Sequence, residues 1–517
     1  MFKIRVYIVL AGCLFIAKIS YGQNTYQQWL KKQNNAYNQF LSKQDSEFVG
    51  FLKKNWIKVK VEKGPNNFPQ PKPHNPIVKT SPNKPQQTIE FPIKTQPRAG
   101  KTHTKIPEKQ NKKNIPSKKF ADLQNKSALS NGSDNPKLRN KTSPPKSNLS
   151  SYNHDLNYYG SNLTVLYDHS LDVSFNEKTS NKSIAEYWDK ISKSNYTISL
   201  NRVLSLDRTM KLNGWGYAKF LYDLGRQVTN GNRNAAYLFT WFMLVKSGYQ
   251  ARVGYENNQI YLLISTPNKL YSTPYFMLHN PVGKFYVMIL SHNESEPTGQ
   301  MYTYKGSYPK QLRDLDLGFH ELPDLGNVPG NRTIDFSYKG EKYSLPVKFN
   351  KKLIDFYHYY PHTNLSVYFK SGLSSEAKNT LLPELNKIIK NKTQIEKANF
   401  LLHFVQYATG YETDQQQFGW EKPFFPEESL YYPYSDCEDR AVLYTYLIKN
   451  LMHLKVLGLK YPDHVTTAIR FTVPIKGDYI KYHGHKYYIC DPTYINSSIG
   501  ESMPRFKNIS AEIVYAN

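Results

Sequence analysis

The chain of 517 residues is too long for a single compact hydrophobic core, so we expect two or more domains. Its hydrophobic content of 39% and mean hydropathy of −0.63 predict that part of it is not globular. After residue 22, no stretch is long and apolar enough to span a bilayer, which excludes an integral membrane protein. The net charge of +27 suits a polyanionic partner, but the sequence contains no nucleic-acid-binding motif, so we do not expect nucleic acid to be a partner.

Residues 1–22 are typical of a secretory signal peptide. A basic start, "MFKIR", precedes the apolar run "VYIVLAGCLFIA", and small residues follow at Ser20 and Gly22. We therefore expect export to the periplasm or the cell exterior of a bacterium. The alternative is a lipoprotein processed at Cys13, because "LAGC" resembles a lipoprotein cleavage box, but the apolar run continues beyond it.

Residues 23–58 predict an amphipathic helix with an aromatic stripe, because its apolar residues recur at steps of three and four. We expect a protein surface to cover this stripe, and a partner helix or a membrane surface are the alternatives. The stripe comprises Tyr26, Trp29, Leu30, Tyr37, Phe40, Leu41, Phe48, Phe51, Leu52 and Trp56.

Residues 59–150 predict a disordered, basic, proline-rich linker. Residues 51–150 hold 22 Lys and Arg against 5 Asp and Glu, and 14 of the 31 prolines. The segment lacks apolar periodicity, so it cannot bury enough surface to offset the entropy of ordering. A solvated spacer is the simplest interpretation; contact with an anionic surface of the cell envelope is the alternative.

The rest of the chain is predicted to be globular and α+β. We expect a domain at 151–325, a β-rich connecting segment at 326–375 and a second domain at 376–517. "RTIDFSYKGEKYSLPVKF" alternates like a hairpin with its turn in "YKGEKY". "SSEAKNTLLPELNKIIKN" and "QIEKANFLLHFVQYA" predict helices, with Ser375 capping the first.

The segment "SDCEDRAVLYTYLIKNL" places Cys437 in the first turn of a predicted helix. Ser435 and Glu438 fit a capping box, so the helix should begin near Ser435. Free N–H groups and the helix dipole favour a thiolate there, and a thiolate is the nucleophilic form of cysteine. The neighbouring Asp436, Glu438 and Asp439 oppose it, so a base is needed.

Two later residues could serve Cys437 as base and orienting acid. His464 opens a predicted strand 27 residues after the cysteine, and Asp491 ends another strand 27 residues further on. His464 would take the thiol proton and Asp491 would orient the imidazole. Other histidines lie nearby, so a buried cysteine, an exposed histidine and a turn aspartate without chemistry are the alternative. Cys490 should point away from Asp491 and be packed, although a disulfide with Cys437 is conceivable in an exported protein.

Three blocks of this region resemble the signatures of the transglutaminase-like, papain-related cysteine superfamily. They are "FPEESLYYPYSDCEDRAVLYTYLIKNL", "YPDHVTTAI" and "YYICDPTY", over roughly residues 380–505. The bacterial branch has a Pro-x-Glu-Thr-Leu element, matched from Pro426 to Leu430 with Ser429 in place of Thr. It also has a Gly-Asp-Cys-Glu-Asp motif, in which Ser435 replaces the glycine here.

The resemblance implies a papain-related core with Cys437 as nucleophile, His464 as general base and Asp491 as orienting acid. It implies a cysteine peptidase or amidase that acts on a protein or peptide through a thioester. Transglutaminase-type amine transfer to glutamine side chains is the alternative. A binding or assembly protein of the cell envelope with an idle triad is the alternative of another class. No metal-ligand cluster or glycine-rich phosphate loop is evident in the sequence, so no cofactor or metal is expected.

The sequence of the first domain predicts that this domain is a degenerate copy of the second. "NGNRNAAYLFTWFMLVKSGYQARVGYENNQIYLLI" aligns under the cysteine segment at an offset of 203. Cys437 then falls on Asn234 and His464 on Tyr261, and Asp491 falls on Ile289 at an offset of 202. All three chemical positions are replaced, which predicts a domain without catalysis. Two unrelated helix–strand units with ordinary patterning are the alternative.

Overall fold

A computed structural model describes residues 28–33, 35–65, 78–79, 90–91, 151–279, 282–291, 294–310 and 312–517. The predicted signal peptide and most of the predicted linker lie outside these ranges. The α+β class is confirmed, since helices and strands form separate layers around two six-stranded sheets. No helix within the described ranges has the length and apolar character needed to cross a membrane.

The first half, residues 151–325, begins with a hairpin, continues with four helices and ends in a sheet. The hairpin strands are Ser151–Tyr158 and Ser161–Asp168, and a short 3-10 turn follows at His169–Leu171. The helices are Asn181–Ser192, Tyr196–Met210, Gly214–Val228 and Arg233–Lys246. The strands are Ala251–Glu256, Gln259–Ile264, Tyr275–His279, Val282–Met288 and Gln300–Tyr304.

The second half, residues 326–517, follows the same plan. Its hairpin strands are Pro329–Tyr338 and Glu341–Asn350. The longer helices are Lys351–His358, Leu365–Lys370, Ser375–Ile389, Gln394–Ala408 and Cys437–Met452. The sheet strands are Lys455–Tyr461, His464–Arg470, Tyr479–Tyr482, His485–Cys490 and Glu512–Ala516. Short elements lie at Gly410–Tyr411, Asp414–Gln417, Glu428–Tyr431, Tyr434–Ser435 and Pro504–Phe506.

The two sheets share one strand order. In each, the last strand of the half lies beside the first sheet strand, followed by the second, the fourth and the third, all antiparallel. The ladders also correspond, because Leu262 pairs with Met288 where Thr467 pairs with Cys490. Outer strands differ: Trp56–Lys60 extends the first sheet beside Gln300–Tyr304.

The hairpins and the helices that follow them correspond as well. Both hairpins turn through two residues of positive φ, at 159–160 and 339–340, and the second residue is glycine each time. Two fifteen-residue helices follow in each half and pack on the hairpin. The main difference is the connection to the last helix, which spans residues 229–232 in the first half and residues 409–436 in the second. We call residues 409–436 the cover segment.

The two halves share part of their hydrophobic core. The described residues from 151 to 517 and the described N-terminal residues form one compact unit, and it contains both the predicted boundary at 325 and the predicted connecting segment 326–375. Trp215 of the first half packs edge-on against Phe356, with ring centroids 4.9 Å apart. The core that contains both also includes Cys437 and Val465. The second half therefore rests on apolar surface that the first half supplies.

Helix starts differ by one residue from the predicted ones. The N-cap of the cysteine-bearing helix is Asp436 rather than Ser435, and its N–H donates to Asp439 rather than to Glu438 (3.1 Å). Ser435 is instead occupied in a short parallel strand and accepts a hydrogen bond from Arg440 Nε (3.2 Å). Ser374, not Ser375, caps the helix Ser375–Ile389. In both helices the residue next to the predicted N-cap also carries a side-chain oxygen suited to capping. The sequence pattern alone therefore does not decide which of the two neighbours is the N-cap.

The N-terminal helical region is helical at 28–33 and 35–52. It ends earlier than predicted, because Trp56 begins the strand that pairs with Gln300–Tyr304. Phe48 and Leu52 of the aromatic stripe are buried in the first-half core, whereas Phe40 is 55% exposed. A protein surface therefore covers the last turns of the stripe.

An ion pair buried beneath this helix should control how firmly it docks. Asp45 accepts from Lys246 Nζ at 2.5 Å and 2.7 Å, from Trp188 Nε1 at 3.1 Å and from Tyr308 at 3.0 Å. We expect Asp45→Ala to lower the free energy of unfolding by about 3–5 kcal/mol, since it strands the Lys246 charge in the core. Urea unfolding would measure this loss. Glu47→Ala, on the exposed side of the same helix, is the control; an equal loss there would contradict the prediction.

Parts of the predicted linker are ordered against the second half. Val78 forms a parallel bridge with Ile495, and Lys79 N–H donates to Ile495 O at 3.0 Å. Glu90–Phe91 adds a short parallel strand beside Tyr479–Tyr482. Backbone pairing needs no apolar periodicity in the added segment, so composition could not predict these contacts.

Candidate active site

Cys437 is the first residue of the helix Cys437–Met452 and is 1% exposed. At this position its backbone N–H has no carbonyl in a preceding helical turn to bond, so it is available to an anion. The thiol donates to Glu438 Oε2 at 3.0 Å and accepts from Val465 N–H at 3.4 Å. Val465 directly follows His464, which brings the helix start to the start of the histidine strand.

His464 and Asp491 form a buried pair. The strand His464–Arg470 lies beside His485–Cys490, so the residue that opens one strand approaches the residue that follows the other. His464 Nε2 lies 2.9 Å from Asp491 Oδ2, and both side chains are at most 2% exposed. The remaining ring nitrogen, Nδ1, is then the one left for a thiol proton.

Second contacts hold the pair in place. Asp491 Oδ1 accepts from the N–H of Thr493 at 2.9 Å and of Tyr494 at 3.3 Å. The imidazole of His464 stacks on Phe506, with ring centroids 5.1 Å apart and planes 7° apart. The aspartate therefore faces the imidazole while its other oxygen is fixed by backbone donors, an arrangement that locks the ring orientation.

The fold thus gathers all three predicted residues at one end of the second sheet. In this conformation the thiol bonds to Glu438 and the Val465 N–H rather than to the imidazole. Cys437 and Cys490 are both free thiols, and Cys490 is packed in the core as expected. A disulfide between them is therefore absent from this structure.

The electrostatic environment opposes ionisation of Cys437. Burial, followed by the charge of Asp436, raises the pKa of the Cys437 thiol well above its usual range. The helix N-terminus favours the thiolate but does not outweigh these effects. The closed conformation consequently holds the cysteine as a protonated thiol, and a reactive thiolate requires rearrangement or proton transfer to His464.

An acidic cluster surrounds the thiol, and the sequence did not reveal it. Burial raises the pKa of Asp414 to about 7 and that of Glu421 to about 8, and it also raises the pKa of Asp436, Glu438 and Asp439. Both carboxylate oxygens of Asp436 are buried without a hydrogen-bond partner among the described residues. Two sets of three of these acids have ligand atoms within 4.8 Å of one another, so they could share protons or hold a hard cation, and a third set combines Asp436 and Glu438 with the Cys437 sulfur.

This cluster should make stability fall as the pH rises. The pKa values of Asp414 and Glu421 are raised from 3.8 and 4.5 in the absence of the fold, so the folded state binds more protons. Stability is then greatest below about pH 4 for these groups and is lost as the pH rises through 7 to 8. We expect the melting temperature to decline across pH 5–8.5, and Glu421→Gln to flatten the decline. An unchanged slope in that variant would contradict the assignment.

The cover segment supplies most of the residues that sequence reasoning missed. Lys422 N–H donates to Asp414 at 2.6 Å, and Phe424 N–H donates to Asp439 at 2.7 Å. Glu427 accepts from the N–H of Asn350 and of Ser374, both at 2.6 Å, which ties the segment to the hairpin. The sequence does show several acids ahead of the acidic cysteine motif. The local pattern, however, does not indicate that these acids are buried beside Cys437.

Equivalent positions in the first half carry no triad. By position in the helix, Cys437 corresponds to Arg233 rather than to the predicted Asn234. By hairpin register, His464 corresponds to Gln259 rather than to Tyr261. Met288 and Cys490 hold corresponding ladder positions, and Ile289 and Asp491 are the residues that follow them. The helix starts at 233 and 437 differ by 204, and the hairpin positions at 259 and 464 differ by 205. A single ungapped offset cannot match both, because the strand Lys455–Tyr461 is one residue longer than Ala251–Glu256.

A hydrogen-bonded cluster fills this place in the first half. Arg233 Nε lies 3.3 Å from Glu294, whose two oxygens accept from Tyr222 and Tyr237, each at 2.5 Å. Arg233 also stacks over the ring of Tyr237 at 4.7 Å. Arg233 Nη1 donates to Ile260 O at 2.7 Å, whereas Nη2 is buried without a hydrogen-bond partner among the described residues.

Comparisons of the chain with models of protein families, with curated proteins and with solved structures gave no match.

Proposed function

We propose that this protein is an exported, cysteine-dependent acyl-transfer enzyme of the transglutaminase-like type, most simply a peptidase or amidase. The single observation that carries the proposal is the buried His464–Asp491 pair beside Cys437. Val465, the residue after His464, donates its backbone N–H to the Cys437 thiol. A carboxylate bonded to one ring nitrogen of a buried histidine fixes the orientation of the imidazole. A nucleophile at a helix start beside such a pair fits general-base activation.

The chemistry follows from these positions. His464 Nδ1 takes the thiol proton, and the sulfur attacks the carbonyl carbon of an amide to form a C–S bond. The Cys437 N–H donates to the developing oxyanion. Collapse breaks the C–N bond, and the imidazolium returns the proton to the leaving amine. Water, deprotonated by His464, then attacks the thioester, breaks the C–S bond and releases a carboxylic acid.

Access to the thiol requires the cover segment to move or rearrange. Cys437, His464 and Asp491 are all buried, and the cover segment is hydrogen-bonded to the acids beside the cysteine. The segment has no counterpart of similar length in the first half. We therefore assign it the role of closing the site between turnovers.

Amine transfer to a glutamine side chain is the second candidate. Above about pH 8, where Asp414 and Glu421 are ionised, the acidic cluster beside Cys437 would attract a protonated primary amine to the thioester, which favours an amine as acyl acceptor. Before attack, the amine must lose a proton, and His464 or one of the carboxylates with raised pKa could accept it.

We also propose that the first half is a copy of the second that has lost its chemistry. The shared strand order, hairpin turn and helix lengths support common descent of the two halves. The substitutions at Arg233, Gln259 and Ile289 leave no nucleophile, base or acid at the corresponding places. Its present role is to supply core surface to the active half.

One experiment separates the candidate activities. The full chain is incubated with a peptide library in water enriched in oxygen-18, with and without a primary amine, and products are read by mass spectrometry. Hydrolysis incorporates oxygen-18 into a new carboxyl group, whereas transamidation leaves an amine adduct. Absence of both products, together with no acyl adduct on Cys437, would refute the enzyme proposal and favour a binding protein.

A further inference from the structure

A groove of about 580 Å³ runs over the second half beside the candidate active site. It is lined by residues 332–335 of the first hairpin strand, by residues 406–411 and by Arg440. Val78 and Ile495 lie on its opposite side. No residue of the hairpin's other strand lines it. The strand Pro329–Tyr338 has no second strand partner among the described residues, so its outer edge can accept one.

The groove leads toward the nucleophile. Arg440 stands three residues after Cys437 on the same helix and is therefore on the same face. Arg440 also bonds to the groove itself, because its Nη2 donates to the carbonyls of Thr409 and Gly410, which line it. The Arg440 guanidinium stacks over the Tyr411 ring at 5.4 Å.

Arg440 offers the groove an unused donor. Its Nε donates to Ser435, and Nη2 donates to the carbonyls of Thr409 and Gly410 at 3.0 Å and 3.1 Å. Nη1 is buried without a partner among the described residues, although the side chain is only 2% exposed. A buried, unsatisfied charged donor is costly, and a carbonyl or carboxylate oxygen in the groove would satisfy it.

The chain already places one of its own extended segments at this groove. Val78 and Lys79 run parallel to the chain at Ile495, with a backbone bond of 3.0 Å. Lys79 Nζ also lies 2.5 Å from Glu501 Oε1. The loop they contact begins at Asp491 and is held by Gln406, whose Nε2 donates to Tyr494 O at 2.9 Å. An occupant of this position therefore touches the loop that carries the orienting acid.

We propose that the Ile495 side of this groove binds an extended peptide near Cys437, and that Val78–Lys79 is the resident occupant of that side. The linker then competes with peptide substrate for backbone pairing at Ile495. Strand addition of this kind draws affinity from main-chain hydrogen bonds, and the Lys79–Glu501 pair adds selectivity. The inference uses the proposed function only to explain why a peptide should come near Cys437.

The test measures binding and not catalysis. The full chain carrying Cys437→Ala is titrated against a fluorescent synthetic peptide with the sequence of residues 70–86, and polarisation is recorded. Lys79→Glu turns the contact with Glu501 into a repulsion and should release the resident segment. We expect roughly fivefold tighter peptide binding, the scale of one partly exposed ion pair.

Two matched variants make the result decisive. Lys79→Glu combined with Glu501→Lys restores the resident pair and repels the lysine of the free peptide, so the affinity should fall to that of the parent or below it. Lys84→Glu makes the same charge change elsewhere in the linker and should have no effect. Equal affinity in the parent and Lys79→Glu, or an equal gain in Lys84→Glu, would overturn the proposal. Competition that follows this pattern in a protein that never forms an acyl adduct would retain the groove and reject the enzyme.

Discussion

Replacing Cys437 by alanine is expected to abolish acyl transfer, with a loss of at least about 10³-fold in rate, because the variant lacks the proposed nucleophile that forms the thioester. An irreversible acylating probe should label Cys437 in the parent chain and leave the variant unlabelled. Mass spectrometry of the labelled peptide identifies the site. The reaction should be slow in the closed structure, since burial raises the pKa of the Cys437 thiol.

Cys490 provides the matched control, because it is the other buried thiol in the described residues. Burial raises the pKa of the Cys490 thiol as well. The Cys490 thiol bonds to the backbone carbonyl of Tyr488 and not to a residue of the predicted triad. Cys490→Ala should retain both labelling and turnover while losing some stability from the cavity it leaves. Equal labelling of the two cysteines in the parent would mean that neither is an activated nucleophile.

Replacing Lys422 by methionine is expected to destabilise the protein by about 3–5 kcal/mol, the second large effect. Lys422 Nζ bonds to Glu428, and the two side chains are 6% and 0% exposed. Methionine fills a similar volume but leaves the Glu428 charge buried, with the Phe425 N–H at 3.0 Å as its remaining described donor. The free energy of unfolding from urea titration would measure the loss.

The double variant Lys422→Met with Glu428→Gln distinguishes charge from packing. A neutral amide still accepts from the Phe425 N–H and needs no counter-charge, so most of the lost stability should return. Lys455→Met, at an exposed position, controls for the substitution itself. A double variant as unstable as the single one would show that the ion pair is not the cause.

Local pattern sufficed for the elements that organise the site. Period-two and period-3.6 alternation located the hairpin Pro329–Tyr338 with Glu341–Asn350, the helix that begins with Cys437, and the strand ends that carry His464 and Asp491. These features depend on residues close in the chain, since a side chain's face is set by its period within one element. The separation of Cys490 from Asp491 followed for the same reason.

The tertiary structure alone decided what surrounds those elements. The pairing of His464 with Asp491 depends on strand register across 27 residues, and the acids of the cover segment meet Cys437 only because a loop folds back over a helix start. The linker contacts at Val78 and Glu90 rest on backbone pairing, which carries no side-chain signature. The pattern of residues along the chain indicates which face of an element a side chain lies on. Packing of the whole chain determines which distant surface covers that face. It therefore also determines the burial that raises the pKa of the Cys437 thiol.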